Sequence, residues 1–213
     1  MKKLILLPVF LVIFSFTLKS QDTLIYSQQK DEIKTLFGKQ KSSGFYGAIK
    51  LGYSQIDNKN AFQVGARFAG VINHYLSIGF GGTCFASEYN SLEAAAGQNS
   101  VAGIYGGMYI EPIVLGTFPV HLSFPVLLGG GSFSNYTYDS NNIVKFIDHA
   151  RTFLVLEPTA ELELNLTRHV RLALGAGYRL PKKFNFGASG SPAPDVALLQ
   201  GMTYSMTFKF GKF

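Results

Sequence analysis

The fold is decided by one stretch. It runs Phe153-Leu-Val-Leu-Glu-Pro-Thr-Ala-Glu-Leu-Glu-Leu-Asn-Leu166, then Thr167-Arg168-His169, then Val170-Arg-Leu-Ala-Leu-Gly-Ala-Gly-Tyr-Arg-Leu180. In the first half Leu154, Leu156, Leu162, Leu164 and Leu166 share one parity, and Glu157, Thr159, Glu161, Glu163 and Asn165 share the other. After the short turn the alternation resumes in the same phase. Val170, Leu172, Leu174, Tyr178 and Leu180 stand against Arg171, Gly175, Gly177 and Arg179. A period of two is the mark of a strand with one apolar and one polar face. Runs this long exceed the usual strand and match the roughly 9–11 residues that a tilted membrane-spanning strand needs.

Working outward, the same period recurs along the rest of the chain. Phe45, Ile49, Leu51 and Tyr53 alternate with Tyr46, Ala48, Lys50 and Ser54; Phe62, Val64, Phe68 and Ile72 alternate with Gln63 and Arg67. Leu76, Ile78, Phe80 and Cys84 oppose Ser77 and Thr83, and Ile104, Met108 and Ile110 oppose Tyr105, Tyr109 and Glu111. A fifth strand sets Val120, Leu122, Phe124, Val126 and Leu128 against His121, Ser123 and Gly129. The stretch quoted above supplies the sixth and seventh. The eighth sets Met202, Tyr204, Met206, Phe208 and Phe210 against Thr203, Ser205, Thr207 and Lys209. Turns after the second, fourth and sixth strands are short. Long Ser/Asn/Gly-rich loops follow the third, fifth (131–150) and seventh, and Asp57 to Asn60 makes an intermediate turn. Eight strands with short turns at one end and long loops at the other predict an all-β, antiparallel up-and-down transmembrane barrel over residues 44–213. Pro112, Pro119, Pro125 and Pro158 fall in or beside these strands, where lost ladder bonds or bulges are expected.

The chain opens as a secretory leader. Lys2 and Lys3 precede an apolar run from Leu4 to Phe16, with Ser20 before the expected cut, so residues 1–20 read as a signal peptide. Residues 21–43 read as a periplasmic lead-in, either unstructured or a short helix through Ile33, Leu36 and Phe37 ended by Gly38. Lys2, Lys3 and Lys19 leave with the leader, so half of the formal charge of +6 is not the mature protein's. The remaining Lys and Arg are scattered, which argues against nucleic acid as a partner. Cys84 is the single cysteine and predicts no internal disulfide. Only 15% of residues are charged and 23 are glycine, a composition unlike that of a water-soluble surface.

Alternation alone does not say which face meets lipid. The polar face is mostly Gly, Ala, Ser and Thr, and its charges balance: Lys50, Arg67, Arg171 and Arg179 against Glu111, Glu157, Glu161 and Glu163. Enclosed charges require partners, whereas a water-washed exterior does not need to balance them. Aromatics gather at strand ends, at Phe45, Tyr53, Phe62, Tyr178 and Phe208, as interface girdles do. The apolar face is therefore predicted outward and the charges in the lumen. The leader, the eight strands and the terminal Tyr204-x-Met206-x-Phe208-x-Phe210, followed by Phe213, resemble small outer-membrane barrels of the OmpA/OmpX-like type. That resemblance implies a Gram-negative outer membrane as location, its lipid as surroundings, and the barrel-assembly machinery as a partner reading Tyr204, Met206, Phe208, Phe210 and Phe213.

Three features are candidates for function. The first is the lumen charge network of Lys50, Arg67, Glu111, His121, Glu157, Glu161, Glu163, Arg171 and Arg179. With Leu166 opposite Val170, Glu157 faces Arg179 and Asn165 faces Arg171; the same logic sets Glu111 opposite His121. Such a set reads as a plug of paired charges, with proton or ion passage as the functional rival. The second is His121-x-Ser123 with Glu111, which faintly resembles the site of outer-membrane lipid A deacylases, although the phasing points it inward. The third is the loop set, with Phe133, Tyr136, Tyr138, Phe184 and Phe186 available to an extracellular ligand. No metal-ligand cluster, phosphate loop or cofactor fingerprint stands in the sequence, so no cofactor and no metal are expected. The leading expectation is a non-enzymatic outer-membrane barrel for surface interaction or membrane integrity. A lipid-modifying enzyme and a soluble exported lipid-binding barrel are the alternatives.

Overall fold

The computed structural model describes residues 43–88, 100–138, 144–146, 150–184 and 196–213. The leader, the lead-in and Phe186 lie outside them. The strands are β1 (Ser43–Ile56), β2 (Lys59–Ile72), β3 (Leu76–Ser87), β4 (Ser100–Val114), β5 (Val120–Ser123), β6 (Val126–Tyr138), β7 (Val144–Phe146), β8 (Arg151–Asn165), β9 (Val170–Lys183) and β10 (Gly201–Lys212). β5 and β6 are two pieces of one barrel strand, both pairing β4 on one side and β8 on the other. β7 is a short addition on the upper part of β6. Counted this way, eight antiparallel strands run up and down in sequence order, and β1 pairs β10 from Phe45 opposite Lys212 to Ser54 opposite Thr203. The ring is closed, so its eight strands leave no edge of their own to seek a partner.

The predicted phase holds on every strand. The apolar parity is exposed, with Phe45, Phe62, Phe68 and Phe80 the most prominent, and the polar parity is buried. This is a soluble protein turned inside out: grease on the exterior, ions within.

Two connections are tighter than their composition suggests. Asp57 and Asn58 both have positive φ between the paired Ile56 and Lys59, a two-residue turn whose backbone twist matches the strands it joins. The intermediate turn expected there is therefore a minimal hairpin, with Lys59 and Asn60 already in β2. Asn73 and His74 make the corresponding bend at the other end, where Tyr75 donates its N–H to Ile72 at 3.2 Å.

The fifth strand differs from its prediction in two ways. It breaks at Phe124-Pro125, because proline has no N–H for the ladder, yet the in-out phase continues across the break. Its second piece then runs on to Tyr138, so the loop expected over 131–150 begins later. Phe133 and Tyr136, assigned to that loop, instead lie in the strand and are buried, Phe133 among the inward side chains and Tyr136 with its hydroxyl donating to the Ser87 carbonyl at 2.6 Å. Tyr138 pairs with Val144, and Phe184 is exposed. Three of the four prolines accept backbone bonds through their own carbonyls: Pro112 from Phe124, Pro125 from Thr159 and Pro119 from Asn165, at 2.8–2.9 Å. The β8–β9 ladder likewise skips Glu157 and Pro158, in register on both sides of the gap.

Candidate functional site

The inward residues form three layers along the barrel axis. At the long-loop end, Ile56, Phe85, Val101, Tyr105, Phe133 and Phe153 pack with Val196 and Leu199, which enter from the short 3-10 turn Ala197–Leu199 ahead of β10. Ring centroids lie 5.9 Å apart for Phe85 and Tyr105 and 5.8 Å for Phe133 and Phe153. Glycines make room for these rings. A Cβ on Gly103 would stand 2.6 Å from Phe85 Cζ, and one on Gly81 would stand 2.8 Å from Tyr109 Cε2.

The middle layer is ionic. Lys209 Nζ donates to Glu111 Oε1 at 2.5 Å and to Glu163 Oε1 at 2.6 Å, and lies 2.9 Å from Glu161 Oε2. All four side chains are buried. These three carboxylates bring oxygens close enough together to hold a metal ion. The ammonium of Lys209 already bonds all three, so the cation their chemistry calls for is supplied by the chain itself. Arg67 adds a contact to Glu161 at 3.2 Å and lies 5.1 Å from the Tyr109 ring centroid. Tyr46 donates to Glu111 Oε2 and receives a bond from Ser77 Oγ at 3.4 Å. His121 Nε2 is 3.1 Å from Glu163, its Nδ1 is 3.2 Å from the Phe118 carbonyl, and Arg171 Nη1 is 3.6 Å from Glu163.

Higher up, Lys50 donates to Glu157 Oε1 at 2.9 Å and Tyr105 donates to Glu157 Oε2 at 2.6 Å. A void of about 10 Å³, room for one water, separates this group from the set below. Thr83 lines that void, and its Oγ1 has no partner. At the short-turn end, Ala48, Ala69, Val71 and Ile113 surround Tyr46. There Phe213 turns inward, stacking on Tyr46 at 5.6 Å with its ring 3.8 Å from the Arg171 guanidinium.

Every lumen residue expected from the sequence is inside, but the expected pairs are not made. Glu157 and Arg179 stand opposite by strand register, since Leu156 pairs Leu180 and Thr159 pairs Gly177. Glu157 is nevertheless taken by Lys50 and Tyr105. Arg179 donates Nε to the Leu199 carbonyl at 2.6 Å, lies over the rings of Phe85 and Tyr105, and leaves Nη1 and Nη2 without partners. Glu111 does not meet His121, because Ile113 pairs Ser123 and Val114 pairs Leu122, four residues off the expected register. The intervening turn bends at Leu115, where φ is positive, and is longer than assumed.

Lys209 is absent from the charge network expected from the sequence, although its parity on the eighth strand, shared with Thr203, Ser205 and Thr207, points it inward. Ser123 donates to Glu161 at 3.4 Å and not to His121, so His121, Ser123 and Glu111 form no nucleophile–base relay and have no access to lipid. On the exterior, Tyr204, Met206 and Phe210 face outward in a row on the last strand; Phe208 is half-buried and Phe213 belongs to the lumen.

Solved structures share this arrangement. Neisserial surface protein A superposes with a TM-score of 0.54 at 13% identity, covering 82% of this chain and all of that one. The fold is that of the small outer-membrane barrels. A major outer membrane protein from Thermus thermophilus gives 0.55 at 10% identity, covering 80% of this chain and 99% of the other. At such identities the likeness is one of fold. No protein-family model matches the chain, and no curated protein matches it in sequence.

Proposed function

We propose that this chain is a resident of the cell outer membrane that works without enzymatic chemistry, as a closed, side-chain-filled barrel displaying loops for surface interaction or supporting the membrane. The observation that carries the reading is the inversion of its two faces: a continuous apolar exterior around a lumen whose carboxylates, among the described residues, are all bonded to cations, with aromatic side chains packed across it at both ends. Eight strands enclose a space that side chains fill, unlike the wider barrels that hold an aqueous channel. The neighbouring folds are outer-membrane barrels, which favours the same location. The final strand, with Tyr204, Met206 and Phe210 outward, is the surface offered to the assembly machinery.

Cell fractionation tests location directly. The protein should stay with outer membranes and leave them only in detergent; a free periplasmic pool would instead support the soluble lipid-binding alternative. The enzyme alternative is separated by mass spectrometry of lipid A from cells with and without the gene, which should be identical.

A further inference from the structure

We propose that the short-turn mouth of the barrel binds the phosphate of an anionic phospholipid headgroup, an inference that rests on the membrane location argued above. The mouth is a cup of about 640 Å³ built where three turns and the end of β10 converge, and no Asp or Glu side chain lines it. Its basic groups come from every side: His74 from the β2–β3 turn, Arg168 and His169 from the β8–β9 turn, Arg171 from β9 and Lys212 from β10.

Arg168 and Lys212 contrast with the cations of the lumen, where Lys50, Arg67 and Lys209 each hold a carboxylate within 3.2 Å and Arg171 lies 3.6 Å from Glu163. Among the described residues, Arg168 and Lys212 have no carboxylate in ion-pair reach. The cup's other lining side chains are neutral or partnered within the lumen, so its free donors are the guanidinium of Arg168 and the ammonium of Lys212, which match the oxygens of a phosphate.

The lipid is favoured over a free anion by what surrounds the cup. Tyr75, Leu115, Phe118 and Leu166, all on the same turns, are large, apolar and mostly exposed. Side chains of that kind hold a rim at the level of the headgroups, where anionic phosphates are concentrated.

Native mass spectrometry of the purified full chain, released from detergent with added lipid, tests this. Phosphatidylglycerol should be retained in preference to phosphatidylcholine. Arg168→Gln with Lys212→Gln should lower that retention about thirtyfold, since each basic residue near an anionic surface contributes about 1 kcal/mol. Lys182→Gln with Lys183→Gln, at the opposite end of the barrel, should leave it unchanged. Equal retention of both lipids overturns the proposal. So does complete displacement of phosphatidylglycerol by an equal concentration of inorganic phosphate, which would mark a free-anion site. Fractionation reads the membrane location separately, so failure of the one is not confused with failure of the other.

Discussion

At the scale of single residues, Lys209 has the largest effect on the lumen. It is the common partner of Glu111, Glu161 and Glu163, and Ala173 and Gly175 on the intervening strand β9 are small enough to let it reach the two glutamates of β8. Lys209→Met leaves three buried carboxylates facing one another. Removing one partner of a buried pair typically costs about 3–5 kcal/mol, so we expect a loss of at least that size in urea unfolding of the detergent-solubilised protein. Lys209→Met combined with Glu111→Gln should recover part of it. A second cycle separates the pairing read from register from the pairing observed. Lys50→Met and Glu157→Gln should show a coupling of about 0.5–3 kcal/mol, the range for groups in direct contact. Arg179→Met with Glu157→Gln should show a smaller one, because Arg179 is bonded to Leu199 and not to Glu157.

At the scale of the strand, the sequence was readable wherever the answer depended on neighbours along or across the ladder. Parity placed the inward residues of the eight expected strands, though not Phe133, Leu199 or Phe213, and a three-residue turn put β8 and β9 in register, because a period of two flips a face with each one-residue slip. The partners of the charges were not readable. Lys50 on β1 meets Glu157 on β8, and Arg67 on β2 meets Glu161 on β8, pairs that reach across the lumen between strands that share no ladder. No rule of adjacency links them; the barrel's diameter does. The break in the fifth strand was legible as a proline, while its extension to Tyr138 was masked by the Ser, Asn and Tyr of a strand interior that resembles a loop. Glycine has a defined part in the same elements. Gly81→Val would drive its Cβ toward the Tyr109 ring and the Ala66 carbonyl, so we expect a destabilisation of about 1–3 kcal/mol by the same unfolding assay. With Tyr109→Leu in the same chain, part of that loss should return.

At the scale of the whole molecule, the ionic layer lies between two plugs of different make, aromatic rings with Leu199 at one mouth and Phe213 at the other. We therefore expect no steady conductance at nanosiemens scale in planar bilayers. Phe213→Ala should remain closed on the same recording, because the aromatic plug at the long-loop end is untouched; Phe213→Ala with Phe85→Ala and Phe153→Ala is the combination expected to admit ions. The position of Lys209 also bears on how the chain reaches its final state. The three glutamates it neutralises are laid down on β4 and β8, and the ammonium arrives only with β10, the last strand, whose other edge must join β1. Until that seam forms, the half-built sheet carries crowded negative charge that nothing else in the lumen fully offsets. Closure and neutralisation are thus a single event, and a misregistered seam, with Lys209 swung to the lipid side, forfeits both. The lumen acts as a proofreader of its own assembly.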